Sequence, residues 1–167
     1  MSKETTTMPK TDYVIEPGKQ EILSTTILDA PRELVFRAYT EPDLVAQWWG
    51  PRRYKVDIEK YESRPGGEWK VTHVGDDGSR HGFRGVNHDI VAPERICQTF
   101  EYLGVPGHVA LQTATFEPVG NKTRVVSQSV FQSVMDRDGM VASGMQEGAD
   151  ESIERLAELL EKLKAGK

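Results

Sequence analysis

The clearest hydrophobic pattern closes the chain, between Asp136 and Lys164. Its apolar positions recur at spacings of three and four, which is the period of one helical face; they are Val141, Met145, Ala149, Ile153, Leu156, Leu160 and Leu163. Glutamates recur on the opposite face, where water solvates them. A single helix over this stretch would be roughly 40 Å long, which exceeds the width of a small domain. We therefore expect a sheet to cover its apolar stripe.

A period of two, typical of strands with one buried face, dominates most of the preceding chain. It begins with the β-rich stretch Glu21–Leu28 and resumes from Arg53 to Phe131. Short turns separate the later strands, as in an antiparallel meander; they lie at Gly75–Gly78, Ala92–Glu94, Gly104–Gly107 and Gly120-Asn121. The pattern predicts about seven strands in one curved sheet.

Two short helices are predicted between the first strand and the rest of the sheet. Pro31 lies where helices often begin, and the apolar stripe after it runs to about Tyr39. Pro42 starts the second helix, and Gly50-Pro51 ends it. The predicted fold class is α+β, with a curved antiparallel sheet of about seven strands around a long C-terminal helix and two short helices after strand 1.

The first twenty residues are more polar than the rest of the chain. Residues 1–20 include Pro9, Pro17 and Gly18, and we expect them to form a flexible arm. An extra edge strand around Tyr13 to Ile15 stays open as an alternative for part of this arm. Residues 21–164 are predicted to form a single domain, which agrees with the usual domain length of about 100–200 residues.

Composition and charge exclude several function classes. A net charge of −5 argues against a nucleic-acid surface, even though Arg52, Arg53 and Lys55 cluster. The single cysteine, Cys97, excludes an internal disulfide and a multi-cysteine metal site. The opening residues have no apolar core of signal-peptide length, and no stretch is long enough to span a bilayer. We therefore expect a cytoplasmic protein without membrane insertion.

The usual cofactor and hydrolase motifs are missing from the sequence. There is no phosphate-binding loop, dinucleotide fingerprint, serine nucleophile elbow or paired-histidine zinc motif. No cofactor and no metal site is therefore predicted. His73 and His81 flank the Asp77-Gly78 turn and would face each other in a hairpin, where they could relay protons or bind a metal. A third metal ligand is not evident.

Trp48 and Trp49 and the acidic residue Glu101 are candidates for binding or catalysis. Adjacent residues on a helix point about 100° apart, so one tryptophan can pack in the core while the other borders a cavity or stays exposed. Glu101 lies between Phe100 and Tyr102 in a predicted strand. If its face is internal, burial would raise the pKa of the carboxyl group and let it act as an acid or a base. The alternative is an outward-facing charge.

Three glycines, Gly139, Gly144 and Gly148, lie in the first turns of the predicted long helix, beside Met140 and Met145. Glycine costs up to about 1 kcal/mol in a helix, so their presence needs a reason. Two explanations stay open. The small residues allow close packing against a strand, or they leave space for a ligand that adaptable methionines would line.

These features together resemble the SRPBCC superfamily, which includes START and birch-pollen-allergen-like helix-grip proteins. The resemblance is closest to the branch named for the activator of the heat-shock-chaperone ATPase, and it covers roughly Glu21 to Leu163. The motifs that carry it are Ala30-Pro31 with Val35-Phe36, Trp48-Trp49-Gly50-Pro51, Pro65-Gly66-Gly67-Glu68-Trp69, Pro93-Glu94-Arg95-Ile96, Thr115-Phe116, and Gly144-Met145 leading to Leu156. The resemblance implies a helix-grip fold with a deep, mostly apolar cavity between the sheet and the long helix.

Three functional hypotheses arise from this resemblance. The first is binding of a small hydrophobic or aromatic molecule, lipid-like or polyketide-like, in the cavity. The alternative is a cyclase- or dehydratase-type enzyme in which Glu101 or His73 moves a proton, and whether turnover occurs stays open. The third is a co-chaperone-like interaction module that uses an exposed Trp49 and the acidic face of the long helix. A chaperone partner ranks low, because the co-chaperones carry a further domain that this chain lacks the length to contain.

The hypotheses share one set of candidate site residues. Aromatic, methionine and titratable side chains could together line a cavity that binds an apolar molecule. The oligomeric state, monomer or dimer, stays open. The candidate lining residues are Trp48, Trp49, Trp69, His73, Phe83, Glu101, Met140 and Met145.

Overall fold

The computed structural model describes residues 8–166 and shows one antiparallel sheet that curves around the C-terminal helices. The elements are β1 (Thr11–Val14), β2 (Glu21–Leu28), α1 (Arg32–Thr40), α2 (Pro42–Val45), β3 (Tyr54–Tyr61), β4 (Glu68–Gly75), β5 (Arg80–Val91), β6 (Arg95–Tyr102), β7 (Val109–Val119), β8 (Lys122–Val130), α3 (Val134–Ala142) and α4 (Met145–Ala165). The strand order is β1-β2-β8-β7-β6-β5-β4-β3, so β1 and β3 are the free edges. The predicted helix-grip fold is confirmed.

The period-two pattern of the sequence corresponds to the strands of the sheet. The predicted strand at Glu21–Leu28 has the observed bounds, and β6 lies between the predicted turns at Ala92–Glu94 and Gly104–Gly107. Along β2, Ile22, Thr26 and Leu28 are buried, because successive side chains point to opposite faces and one face lies against the core. Within residues 8–166 the sheet has eight strands, where about seven were predicted.

The additional strand is β1, which lies inside the stretch predicted as a flexible arm. Thr11 pairs with Thr26, and Tyr13 pairs with Ser24, at the edge of the sheet. The edge strand that stayed open around Tyr13 to Ile15 is thus observed at Thr11–Val14, and residues 1–7 of the expected arm lie outside the described residues. The side chain of Tyr13 packs against the cluster around Ile22, which gives this short strand an apolar anchor.

The predicted continuous helix over Asp136–Lys164 is instead two helices. Gly144 has a positive φ of 84°, a left-handed conformation that interrupts the helix and that glycine adopts without steric cost. The preceding residue, Ser143, caps α3 by donating its backbone N–H to carbonyls of that helix. The break separates α3, which packs through Met140 and Val141 against Ile22, from the longer α4.

The core lies between the concave face of the sheet, α1 and the second half of α4. The predicted apolar stripe of the long helix is confirmed here, since Leu156 and Leu160 are buried and Ile153 and Leu163 pack against the same cluster. The first half of α4 packs less tightly and leaves space above the sheet. Within residues 8–166, no helix has both the length and the apolar composition needed to cross a membrane.

Candidate functional site

A cavity of about 270 Å³ lies between the concave face of the sheet and the first half of α4. The helix contributes Met145, Ala149, Ser152 and Ile153 to its wall. The rest of the wall comes from α1, the α2 region and strands in both halves of the sheet. The volume is close to the lower end of the range of about 300–1,000 Å³ that is usual for ligand sites. The occupant of such a site is therefore a compact molecule.

Six aromatic side chains border the cavity, and all but Tyr13 come from α1, the α2 region, β3 and β4 and form one wall; these five are Tyr39, Trp48, Trp49, Tyr61 and Trp69. The Trp48 ring contacts the Tyr39 ring at a centroid distance of 4.9 Å, and its indole N–H donates to the carbonyl of Ala38 at 2.9 Å. The hydroxyl of Tyr61 donates to the carbonyl of Tyr39 at 2.9 Å. These bonds fix the rings that face the cavity.

The Trp49-Gly50-Pro51 turn is tied to α4 by hydrogen bonds at both polar groups of Gly50. The backbone N–H of Gly50 donates to the hydroxyl oxygen of Ser152 at 2.7 Å, and Arg155 donates to the Gly50 carbonyl at 2.7 Å. These bonds hold the tryptophan pair against the helix. Both Trp48 and Trp49 therefore line the cavity. Trp48 also belongs to the core cluster, so packing in the core and lining the cavity are not alternatives for this residue.

Arg52, which follows this turn, forms further hydrogen bonds to α4. The guanidinium group of Arg52 donates to both carboxylate oxygens of Glu158, at 3.0 and 2.6 Å, and its backbone N–H donates to Glu151. The hydrogen bond from Arg52 lowers the pKa of the Glu158 carboxyl group. The acidic face of the helix is thus partly engaged by the chain itself.

The interaction-module hypothesis required an exposed Trp49. In the structure Trp49 is half-buried in an aromatic cluster. Its ring lies 4.8 Å from the ring of His73, 5.1 Å from Phe83 and 6.0 Å from Trp69. His73 and Phe83 were predicted to line the cavity. They pack against Trp49 instead, and neither borders the cavity. Trp49 therefore bridges this cluster and the cavity.

His73 pairs directly with His81 across β4 and β5, as the hairpin prediction required. It is buried, and burial, followed by the proximity of His81, lowers the pKa of His73 to about 4. Its ring lies against Gly50, where a Cβ atom would come within 2.5 Å of Nε2. Within residues 8–166, no third histidine, cysteine or carboxylate joins these two to form a metal-ligand group.

Glu101 lies away from the cavity, on the outer face of the sheet. Its carboxylate accepts hydrogen bonds from Arg84 at 2.9 Å and from the backbone N–H of Gly107 at 2.8 Å. The Gly107 bond and then the Arg84 bond lower the pKa of Glu101. The condition for a raised pKa, an internal face, is thus not met: Glu101 faces outward, although Arg84 and the loop at Gly107 leave it only 8% exposed.

The two methionines predicted to line the cavity separate at the helix break. Met145, the first residue of α4, borders the cavity. Met140, on α3, packs against the cluster formed by Ile22, Ala110 and Phe131. Close packing is not observed at Gly139 or Gly144, where a Cβ atom would meet nothing within 4 Å, whereas at Gly148 it would lie 3.7 Å from the Pro51 side chain.

The polar part of the cavity lining was not predicted from the sequence. Uncharged side chains from five adjacent strands face the cavity; they are Thr11, Ser24, Thr26, Gln98, Gln112, Ser127 and Ser129. The cavity lining is apolar over most of its area, as expected, and this polar surface is the part that was not expected. The alternation of β2 could have predicted part of it, because Ser24 and Thr26 share a face with the buried residues Ile22 and Leu28.

Comparison with known proteins agrees with this architecture. The sequence profile described as "Activator of Hsp90 ATPase homolog 1-like protein" matches residues 29–161. No protein with a curated functional description is significantly similar to the chain.

Solved structures with the same fold come from several bacteria. A protein from Arthrobacter aurescens, solved by solution NMR, is 25% identical and has a TM-score of 0.83, over 90% of this chain and 91% of its own. A Rhodobacter sphaeroides protein is 22% identical with a TM-score of 0.83, over 90% and 98% of the two chains. For a Chromobacterium violaceum protein the identity is 26% and the TM-score 0.76, over 85% and 97%. The chain belongs to the family of Activator of Hsp90 ATPase homolog 1-like proteins, and it has their helix-grip fold.

Proposed function

We propose that this protein binds a small, uncharged, aromatic or hydrophobic molecule in the cavity between the sheet and α4. The observation that carries the proposal is the aromatic wall formed by Tyr39, Trp48, Trp49, Tyr61 and Trp69. Aromatic rings offer large, rigid contact surfaces to a flat apolar ligand. The fixed positions of Trp48 and Tyr61 support binding to a preformed site, which lowers the entropy cost of ordering the site.

The charge of the lining supports an uncharged ligand. No Asp, Glu, His, Lys or Arg is among the described residues that border the cavity. A buried charge on the ligand would have no opposite charge to pair with and would cost several kcal/mol. Burial raises the pKa of both Tyr39 and Tyr61, so their hydroxyl groups stay neutral.

Binding without turnover is the function that this lining supports best. The proton-transfer candidates of the enzyme hypothesis, Glu101 and His73, do not border the cavity. General acid–base catalysis needs a titratable group within hydrogen-bond reach of the substrate, directly or through one water. The proposed role is therefore that of a carrier or sensor.

A cavity-filling substitution provides the test. Ser127 borders the cavity from β8, and the preceding residue, Val126, belongs to the same strand but does not border it. Thermal shift and tryptophan fluorescence with a panel of small neutral aromatic compounds should show saturable binding in the wild type. Ser127→Phe should abolish that binding, because the added ring occupies the ligand volume. Val126→Phe serves as the matched control and should bind as the wild type does.

Two results would contradict the proposal. One is the absence of saturable binding across the panel, since a ligand of the native state must raise the unfolding temperature by mass action. The other is binding that survives in Ser127→Phe, which would place the ligand elsewhere on the molecule. Circular dichroism of both variants establishes that they are folded.

A further inference from the structure

A row of uncharged polar side chains crosses the floor of the cavity. Gln98 on β6 is the register partner of Gln112 on β7, and Gln112 is the register partner of Ser129 on β8. Residues opposite each other in an antiparallel pair place their side chains on the same face, about 5 Å apart. The next row towards α1 contains Ser127 opposite Ser24. All five side chains border the cavity.

Most of the hydrogen-bonding capacity of these five side chains is unused within residues 8–166. The side chains of Ser24, Ser127 and Gln98 make no hydrogen bond there, and the bond from Gln112 to Ser129 is long at 3.4 Å. Their polar atoms remain accessible in the cavity, in contrast with the sealed and unpartnered Nε1 of Trp69.

Nearby polar side chains of the same sheet differ in this respect. Thr11 and Thr26 bond to each other at 2.6 Å, and Asn87, the register partner of Gln98 on β5, donates to the carbonyl of Glu62 at 2.8 Å. Polar groups in a protein interior are nearly always hydrogen-bonded. The unused groups therefore lie at the place where a cavity ligand would supply their partners.

We infer that the ligand is a compact, neutral aromatic molecule carrying hydroxyl, carbonyl or amide groups, and that Gln98 and Ser127 recognise those groups. This inference rests on the proposed binding function and deepens it. An amide and a hydroxyl each both donate and accept, so they match neutral oxygen and nitrogen groups of either kind. A plain acyl chain would leave these groups without partners, which costs binding free energy.

Two compounds of the same ring size separate recognition of polar groups from ring burial. Dihydroxynaphthalene and naphthalene are titrated into the wild-type protein and followed by tryptophan fluorescence, with dodecanoate as the acyl-chain probe. The wild type should bind dihydroxynaphthalene at least about tenfold more tightly than naphthalene, since one good hydrogen bond to an otherwise unpaired group is worth about that factor. Dodecanoate should bind more weakly than dihydroxynaphthalene.

Variants assign the discrimination to the cavity floor. Gln98→Leu should reduce the preference for dihydroxynaphthalene over naphthalene to about threefold or less, and Ser127→Ala should reduce it in the same direction. The matched control is Gln128→Leu, because Gln128 bonds to Glu21 and does not border the cavity. It should retain the full preference. Ser127→Ala is the smaller change and keeps the test valid if Gln98→Leu fails to fold.

Each contrary result has a distinct meaning. Equal affinity of the wild type for the two naphthalenes would overturn the inference and leave the binding function standing, with water as the partner of the polar row. A preference that persists in both Gln98→Leu and Ser127→Ala would also overturn it. Failure of the wild type to bind either naphthalene would overturn the inference, and the proposed function would fall with it only if the whole panel of neutral aromatic compounds also failed to bind.

Discussion

His73 shows how a single titratable residue is set by its surroundings. It is packed among Trp49, Phe83 and Gly50, and burial lowers its pKa from 6.5 to about 4. The unfolded chain then binds a proton on this residue between pH 6.5 and 4 and the folded chain does not. Stability contributed by the neutral ring is complete above pH 6.5 and is lost as the pH falls towards 4. The loss amounts to roughly 3 kcal/mol, since one pKa unit is worth about 1.4 kcal/mol.

Chemical denaturation from pH 7.5 to 4 tests this linkage. The free energy of unfolding should fall less steeply with decreasing pH in His73→Phe than in the wild type. His88→Gln is the matched control, because His88 is exposed, and its pH dependence should match that of the wild type. Parallel curves for the wild type and His73→Phe would show that the ring titrates normally in the folded protein.

At the level of single residues, the sequence predicted pairings better than environments. The turn at Asp77-Gly78 was sufficient to place His73 opposite His81. The face of Glu101 could not be derived, because alternation gives two faces without saying which is internal. In the fold, the neighbouring residue Phe100 packs against Trp69 on the inner face. Glu101 therefore lies on the outer face, where it forms an ion pair with Arg84.

Among the elements, the interruption between α3 and α4 is the main departure from the sequence pattern. Gly139 and Gly144 both lie in the stretch predicted as one helix, and a Cβ atom at either would meet nothing within 4 Å. Of these two glycines, only Gly144 has a positive φ. Both sites therefore have room for a Cβ atom, and they differ in backbone conformation.

The same substitution at these two glycines should have opposite effects. Gly144→Ala should destabilise the protein by about 1 kcal/mol, because a Cβ atom disfavours the left-handed conformation. Gly139→Ala should stabilise it by up to about 1 kcal/mol, because alanine is the better helix former. Urea denaturation of the two variants beside the wild type measures both. Stabilisation by both substitutions would mean that the helix runs through residue 144 unbroken.

Periodicity predicted the helical and extended stretches, and it failed where a single residue or a tertiary contact decides. The apolar stripe continues in phase across Gly144, so the pattern alone favours one helix. The short strand β1 has only four residues, and its position depends on Tyr13 reaching the cluster around Ile22 and on its hydroxyl donating to Asp150 at 2.9 Å. Contacts of this kind are not visible in a local pattern.

In the whole molecule, the curved sheet and α4 form a wall and a cover around the cavity. The order of motifs was sufficient to predict this architecture. Trp48, Trp49, Trp69 and Met145 border the cavity, and their role in binding stays a prediction. The polar floor was not predicted, because its members come from separate strands and become neighbours only through the register of the sheet. Gln98 and Ser129, for example, are two strands apart in space and far apart in sequence.

The binding claim is tested most directly by nuclear magnetic resonance of side-chain N–H groups during titration with dihydroxynaphthalene. All three tryptophans of the chain border the cavity, as do Gln98 and Gln112, whereas Gln128 does not. Binding in the cavity predicts saturable shifts of the three indole N–H signals and of the Gln98 and Gln112 amide signals, with Gln128 unchanged. Shifts confined to groups outside the cavity, or no shift at all, would contradict it.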